Sequence, residues 1–259
     1  MSGCQMHTRS RLPTDTGIDH YFSGLFVLFV VQKEFLRYQF YFSGISAIAN
    51  SCIWHTFTAL LELYFFYRFF PSVTFMRNRI IAAVRDPKLL LQVCRSPVDV
   101  VFLLSGELCD LEEHCRLLHQ AGKKIFLHID LLDGLKGDSS GIRFLAKYCQ
   151  PEGIISTKVQ CLKIARDAGM QTILRCFAID TLALKTGAQN VRLAKPDFVE
   201  VLPGLSTKII RLATVHFGIP VIAGGLLNEP EDIAAVLAAG AAAVSTSVPT
   251  LWTSDIHPA

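Results

Sequence analysis

Residues 76–259 predict an α/β fold, a compact (β/α)8 parallel barrel of the TIM-barrel-like type with short helices. The first observation is a series of short apolar, β-branched runs, most of them continuous rather than alternating. Such runs are typical of strands that are covered on both faces. The eight runs are 80–84, 98–104, 124–129, 153–156, 172–177, 198–202, 220–223 and 242–245.

Helical patterns between these runs are the second observation, because strict alternation of strands and helices indicates a parallel barrel. They cover 88–95, 107–120, 141–149, 160–168, 182–194, 207–217 and 229–239. A glycine, the preferred residue just after a helix, precedes the next strand at Gly122, Gly169, Gly218 and Gly240. The 184 residues from Met76 onward are fewer than the roughly 250 usual for this architecture. The helices must therefore be short, and one of them can be missing.

The first 75 residues differ in composition from the rest. They hold 12 of the 18 Phe and 5 of the 6 Tyr, but only 9 of the 47 charged residues. Residues 38–61 contain no charged side chain and are long enough to span a bilayer, although polar residues within them weigh against it. No signal-peptide pattern is visible. Three interpretations stay open: an upstream extension before a true start at Met76, a membrane-associated segment, or a partner-binding region.

Charge and cysteine content narrow the class of protein. From Met76 onward, 20 Lys and Arg face 18 Asp and Glu, a balance too mild to indicate nucleic-acid binding by itself. The eight cysteines form no CxxC motif and have no regular spacing, so we expect free thiols rather than a disulfide framework or a zinc site. Free thiols fit a reducing compartment, and we expect a cytoplasmic protein.

The last two strand-to-loop transitions carry the clearest functional signal. The seventh run leads into Gly224 and Gly225, and the eighth leads into Ser245, Thr246 and Ser247. In (β/α)8 barrels these two consecutive loops commonly bind a phosphate. Glycine allows backbone N–H groups to approach an anion closely, and hydroxyl groups add donors. The pattern predicts a site for a small phosphorylated molecule.

Other polar residues lie at the predicted carboxyl ends of strands, where barrels carry their functional groups. His128 and Asp130 are two apart and would share a strand face, as a ligand contact or as a hydrogen bond that holds a loop. Arg175 within an apolar strand needs an anion, which is either Glu200 on the next strand or a ligand. Lys158 and Gly204 complete the candidate ligand-binding set.

The loop 133–138 reads either as a lid over this site or as a solvated connection. The sequence contains no nucleophile elbow, no metal-ligand cluster and no lysine within an apolar strand that would form a Schiff base. We therefore predict no catalytic residue, no metal and no cofactor.

Several motifs, in order and at consistent spacing from about residue 80 to 252, resemble the glycerol-3-phosphate responsive antiterminator family. The most specific are Glu-Val-Leu-Pro-Gly at 200–204 and Ala-Val-Ser-Thr-Ser at 243–247, the latter followed by Leu251 and Trp252. The others are His-Ile-Asp-Leu-Leu-Asp-Gly-Leu at 128–135 with Asp138 and Gly141, Gly-Ile-Ile-Ser-Thr at 153–157, Arg-Cys-Phe at 175–177 with Asp180, and Ile-Pro-Val-Ile-Ala-Gly-Gly at 219–225. The second strand, at 102–106, is more apolar than the family pattern.

The resemblance implies a regulator that senses glycerol-3-phosphate at the rim residues named above. Such a protein acts on the leader mRNA of a glycerol operon by antitermination, as an RNA-binding transcription regulator of glycerol metabolism without enzymatic activity. The alternative is a barrel enzyme that acts on a small sugar or glycerol phosphate, because fold alone does not determine function. No aromatic-plus-basic RNA surface stands out in the sequence. The candidate basic residues are Lys123, Lys124, Lys136, Arg143, Lys147, Lys163 and Arg166.

Overall fold

The computed structural model describes residues 79–253, which form a closed barrel of eight parallel strands. The strands are β1 (Ile80–Val84), β2 (Val100–Leu103), β3 (Lys124–His128), β4 (Gly153–Ser156), β5 (Gln171–Phe177), β6 (Phe198–Leu202), β7 (Val221–Gly224) and β8 (Ala243–Thr246). Each strand pairs with its neighbours in the sequence, and β8 closes the barrel on β1 through Ile81 beside Ser245. The predicted fold class and all eight strands are confirmed.

Helices lie between consecutive strands. They are α1 (Leu90–Arg95), α2 (Leu108–Gln120), α3 (Ser139–Phe144), α4 (Val159–Asp167), α5 (Thr181–Ala194), α6 (Thr207–Phe217) and α7 (Pro230–Ala238). Short 3-10 turns cover Pro87–Leu89 and Ile129–Leu131. Within the described range, β8 is followed by the 3-10 segment Pro249–Thr253 instead of an eighth α-helix.

Two sequence predictions need correction at element boundaries. The helix predicted at 141–149 divides into α3 and a π-helical turn, Leu145–Cys149. The third strand ends at His128, and Asp130 lies in the 3-10 turn that follows. The expectation that His128 and Asp130 share one face of a strand is therefore wrong, because the chain leaves the extended conformation between them.

The barrel interior changes from apolar to polar along its axis. Alternate residues of each strand point inward, and the interior cluster includes Ile81, Phe102, Phe126 and Ile173, all buried. The Phe102 and Phe126 rings pack edge to face with centroids 5.8 Å apart. Nearer the carboxyl ends of the strands, the buried polar side chains are His128, Arg175, Glu200 and Ser245. The apolar layer in the barrel interior therefore packs beneath a polar layer at the carboxyl ends of the strands.

Helix caps fix the loops at the carboxyl ends of the strands. Asp138 accepts hydrogen bonds from Ser140 N and Gly141 N at the start of α3, at 3.0 and 2.9 Å. Asp180, part of the motif at 175–180, accepts from Ala183 N at 2.7 Å as the N-cap of α5. Ser206 caps α6. Each cap satisfies a backbone N–H that the helix leaves unpaired, so these side chains position loops.

No helix within residues 79–253 is long and apolar enough to cross a membrane. The predicted extension at 1–75 lies outside the described residues. It stays a prediction with its three interpretations.

Candidate ligand site at the carboxyl ends of the strands

A buried hydrogen-bond network joins β5, β6 and β8. Arg175 and Glu200 are cross-strand partners, and Arg175 Nε donates to Glu200 Oε2 at 2.7 Å. Ser245 Oγ donates to the other oxygen, Oε1, also at 2.7 Å. Arg175 is 6% and Glu200 1% exposed, and charges buried this deeply must be paired. The predicted Arg175–Glu200 pair is thus present, while a ligand contact at either residue stays a prediction.

The guanidinium of Arg175 has donors to spare. Its contact with Glu200 uses Nε, and within the described part of the chain no hydrogen bond occupies its two terminal nitrogens. A guanidinium carries five N–H donors in a planar fork that matches carboxylate and phosphate oxygens. Glu200 therefore orients the guanidinium and leaves its fork available to an anion.

A small pocket of about 80 Å³ opens over this network. The polar residues that line it are Arg85, Arg175, Glu200, Asn228, Ser245, Thr246 and Ser247, together with Gly225. Arg85 and Asn228 were not predicted from the sequence. Arg85 directly follows β1, so its place one residue past a strand end was the available signal. Two guanidinium groups against one carboxylate make the pocket suited to an anion.

Glycines at the end of β7 bring the backbone close to the network. A Cβ on Gly224 would lie 2.6 Å from Ser245 Oγ and 2.7 Å from Glu200 Oε1, so no larger residue fits there. Gly225 has φ +80°, a conformation that favours glycine. Gly204 N donates to Gly224 O at 2.6 Å, which holds the loop after β6 against β7. The contribution of Gly204 within the structure is therefore close packing.

The three hydroxyl residues after β8 have different roles in the structure. Ser245 is held by Glu200, as described above. Thr246 Oγ1 donates to Leu227 O at 2.9 Å and accepts from Val248 N at 3.2 Å, so its hydroxyl ties β8 to two loops. Trp252 Nε1 donates to Thr246 O at 2.9 Å and closes this corner. Ser247 is exposed at the pocket, where its hydroxyl can reach a ligand.

His128 is buried without a partner. Its side chain is 2% exposed, and neither ring nitrogen makes a hydrogen bond within the described residues. Burial, followed by the nearby charge of Arg175, lowers the pKa of His128 to about 4, against an opposing effect of Asp130. The ring is therefore neutral near pH 7. Buried polar atoms are normally hydrogen-bonded, so an unpaired ring beside Arg175 marks a place for a water molecule or a ligand hydroxyl.

Asp130 holds a loop. It accepts from Thr157 N at 2.7 Å, from Thr157 Oγ1 at 3.0 Å and from Ser156 Oγ at 3.0 Å, and Lys158 Nζ lies 3.4 Å away. Burial acts to raise the pKa of Asp130, but these hydrogen bonds outweigh it and lower the pKa below its ordinary value. The carboxylate thus ties the turn after β3 to the turn after β4. Lys158 is 70% exposed along its side chain, and its ligand role stays a prediction.

Comparison with known proteins identifies the family of this chain. The model of the family described as glycerol-3-phosphate responsive antiterminator matches residues 80–252. A crystal structure of a glycerol uptake operon antiterminator regulatory protein from Listeria monocytogenes is similar, with 35% identity and TM-score 0.65 over 68% of this chain and 95% of that one. An antiterminator-related protein from Thermotoga maritima has 34% identity and TM-score 0.61 over 68% and 98%.

Among curated proteins, the uncharacterized protein YgcP of Escherichia coli (strain K12) is 35% identical over 177 residues, 68% of this chain and 93% of its own length. Aldolase structures at 13–15% identity also match, and that likeness concerns the fold alone. Because the family model covers the whole barrel, β1 to Trp252, the chain belongs to the glycerol-3-phosphate responsive antiterminator family.

Proposed function

We propose that this chain is a transcription antiterminator that binds glycerol-3-phosphate at the barrel mouth and then acts on the leader mRNA of a glycerol operon. One observation carries the ligand half of the proposal. Arg175, which Glu200 holds through Nε, lines the pocket beside the loops after β7 and β8, and its terminal nitrogens make no hydrogen bond among the described residues. A dianionic phosphate fits this arrangement because it accepts paired hydrogen bonds from a guanidinium.

We assign the two ends of the ligand to separate groups, the phosphate to the pocket and the hydroxyls to His128, which is buried and is not among the residues that line the pocket. The phosphate end would contact the Arg175 fork, the Gly225 turn and Ser247. The glycerol hydroxyls would contact His128, whose neutral ring can both donate and accept a hydrogen bond. This division gives the ring of His128 the hydrogen-bond partner that it lacks among the described residues.

The same geometry favours binding over catalysis. Both oxygens of Glu200 already accept hydrogen bonds, from Arg175 and Ser245, which leaves the carboxylate a poor general base. Among the described residues, no lysine lies in the carboxyl-terminal half of any barrel strand, where a Schiff-base mechanism would need one. We therefore propose a regulator without enzymatic activity and without a cofactor.

A barrel enzyme acting on a small sugar or glycerol phosphate is the second candidate. It is favoured by the phosphate-type rim and by the fold shared with aldolases. Incubation of the full chain with triose phosphates and glycerol phosphates separates the two. Product formation at a rate proportional to enzyme concentration would support the enzyme, and unchanged substrate supports the regulator.

The direct test combines ligand binding with RNA binding. Glycerol-3-phosphate at a hundred times its dissociation constant should stabilise the fold by roughly 2.7 kcal/mol, whereas glycerol and inorganic phosphate at equal concentration should have smaller effects. A gel shift with a glycerol-operon leader RNA should change in affinity when glycerol-3-phosphate is added, because the ligand must favour one RNA-binding state. Equal RNA affinity with and without the metabolite would contradict the sensor.

A further inference from the structure

An exposed aromatic and basic surface lies on the outer wall of the barrel between β3 and β4. It consists of Arg143, Phe144, Lys147 and Tyr148, at the junction of α3 and the π-helical turn. The Phe144 and Tyr148 rings are 4.9 Å apart between centroids and inclined by 38°. Lys147 Nζ lies 4.9 Å from the centroid of the Tyr148 ring. The sequence did not predict this surface, because a regular helix was expected through 141–149.

The π-helical turn explains why these side chains are presented outward. Gln150 N donates to Leu145 O at 2.8 Å, a five-residue spacing that widens the turn. Leu145 and Cys149 are buried on the inner side. Lys147 and Tyr148 are therefore left on the outer side, with Tyr148 45% exposed. A tyrosine that is half exposed beside a second ring forms a flat apolar face for a partner.

The cations on this surface form no ion pair among the described residues, although the hydrogen bond from Gly141 N and, to a smaller extent, the nearby charge of Arg143 lower the pKa of the Asp138 carboxyl. Within residues 79–253, neither Arg143 nor Lys147 has a carboxylate oxygen within ion-pair distance. Two of the other candidate basic residues instead make hydrogen bonds within the protein. Lys123 Nζ donates to Ser96 O and Val98 O from a buried position, and Arg166 donates to Ala194 O at the end of α5.

We infer that Arg143, Phe144, Lys147 and Tyr148 form the surface on which single-stranded RNA stacks, an inference that rests on the function proposed above. Bases stack on exposed aromatic rings, and nearby cations contact the phosphates. The Lys147 ammonium lies over the Tyr148 ring where a base would lie. A base takes that place when Lys147 turns to a phosphate.

The position of this surface suits a sensor. It lies on the outside of the barrel, so the RNA does not compete with a ligand at the mouth. The helix that carries it begins at Asp138, which ends the loop 133–138. That loop follows the turn that Asp130 ties to Thr157. A change in this turn can therefore shift the start of α3, and with it the angle of the stacking surface.

The test measures fluorescence anisotropy of a labelled single-stranded leader RNA from a glycerol operon, with the full chain and saturating glycerol-3-phosphate. Tyr148→Leu should weaken binding by about 5- to 150-fold, the range for losing one stacked base, and Tyr148→Phe should retain the affinity. Lys147→Gln should reduce the slope of log affinity against log salt by about 0.7. The matched control is Lys185→Gln, at an exposed position on α5. It should leave the affinity for the RNA unchanged.

Ultraviolet crosslinking of the labelled RNA to the protein gives a second measurement. A crosslinked peptide that contains Tyr148 would support the proposed surface. If Tyr148→Leu binds the RNA as tightly as the wild-type chain and the crosslinks lie elsewhere, the proposed surface is wrong. That result would not contradict the RNA-binding regulator proposed above. Absence of leader binding by the wild-type chain, with and without the metabolite, would instead overturn the proposed function. The melting shift with glycerol-3-phosphate should be equal in all variants, which shows that each is folded.

Discussion

Two polar clusters at the barrel mouth differ in how completely the protein satisfies them. Around Asp130, the carboxylate accepts three short hydrogen bonds from the neighbouring turn. Around Arg175, the Nε–Glu200 contact is made, but within residues 79–253 neither the terminal nitrogens of Arg175 nor the ring of His128 has a hydrogen-bond partner. A buried polar group whose hydrogen bonds are all made within the protein holds a loop in place. A buried polar group that lacks such partners is a candidate for contact with a ligand. The difference supports the proposal that the ligand binds beside Arg175 and His128, while the turns after β3 and β4, which Asp130 joins, form a frame next to it.

Arg175→Met gives the largest expected effect. The substitution keeps the length of the side chain but leaves Glu200 buried without its cation, so the free energy of unfolding should fall by about 3–5 kcal/mol, measured by urea denaturation. The double variant Arg175→Met with Glu200→Leu removes both charges and should recover most of that loss. If the double variant is folded and still binds glycerol-3-phosphate with full affinity, Arg175 only supports the structure.

His128 should make the free energy of unfolding depend on pH. The pKa of His128 is about 4 in the folded protein and about 6.5 when unfolded, so the unfolded chain binds more protons between these values. The contribution of the neutral His128 to the free energy of unfolding is present above about pH 6.5 and is lost as the pH falls towards 4. Between pH 7 and pH 5 it should amount to about 2 kcal/mol.

Chemical denaturation at the two pH values measures this loss, and His128→Leu is the matched variant. Asp and Glu residues titrate in both proteins, so the difference between the two profiles isolates the histidine. Parallel profiles would mean that His128 is accessible to water. A wild-type profile that flattens when glycerol-3-phosphate is added would mean that the negative charge of the phosphate lies near the ring and raises its pKa.

Asp130→Asn should have a smaller effect on stability, about 1–2 kcal/mol, because the amide keeps one acceptor oxygen and loses charge-assisted hydrogen bonds. Asp197→Asn is the control. Asp197 accepts from Thr172 N and Oγ1 at 2.7 and 3.1 Å, but at the amino end of β5, away from the pocket. Both variants should lose similar stability by thermal denaturation. A loss of ligand affinity confined to Asp130→Asn would make the β3–β4 side part of the binding site.

The sequence predicted the barrel and its strands because their signals are local: continuous apolar runs and glycines that end helices. The Arg175–Glu200 pair was also predictable, since a charge inside an apolar strand requires a partner nearby. Asp130 does make the loop-holding hydrogen bonds that the sequence offered as one alternative, with Ser156 and Thr157. Only the shared strand face with His128 was wrong, because the chain turns into a 3-10 segment after His128. The π-helical turn before Gln150 likewise has no pattern of its own in the residues.

Lys158→Ala should have the smallest effect and decides whether the frame side contacts the ligand. The Lys158 side chain is 70% exposed and its contact with Asp130 is 3.4 Å, so the expected loss of stability is below about 1 kcal/mol and decreases with salt. The sequence predicted Lys158 as a ligand residue, and Lys158 lies directly after the turn that follows β4, with its ammonium beside Asp130. Titration of glycerol-3-phosphate at low and high salt distinguishes the roles. Affinity within twofold of wild type at both salts would mean that Lys158 only supports Asp130, whereas a tenfold loss would assign it to the phosphate and extend the site across the barrel.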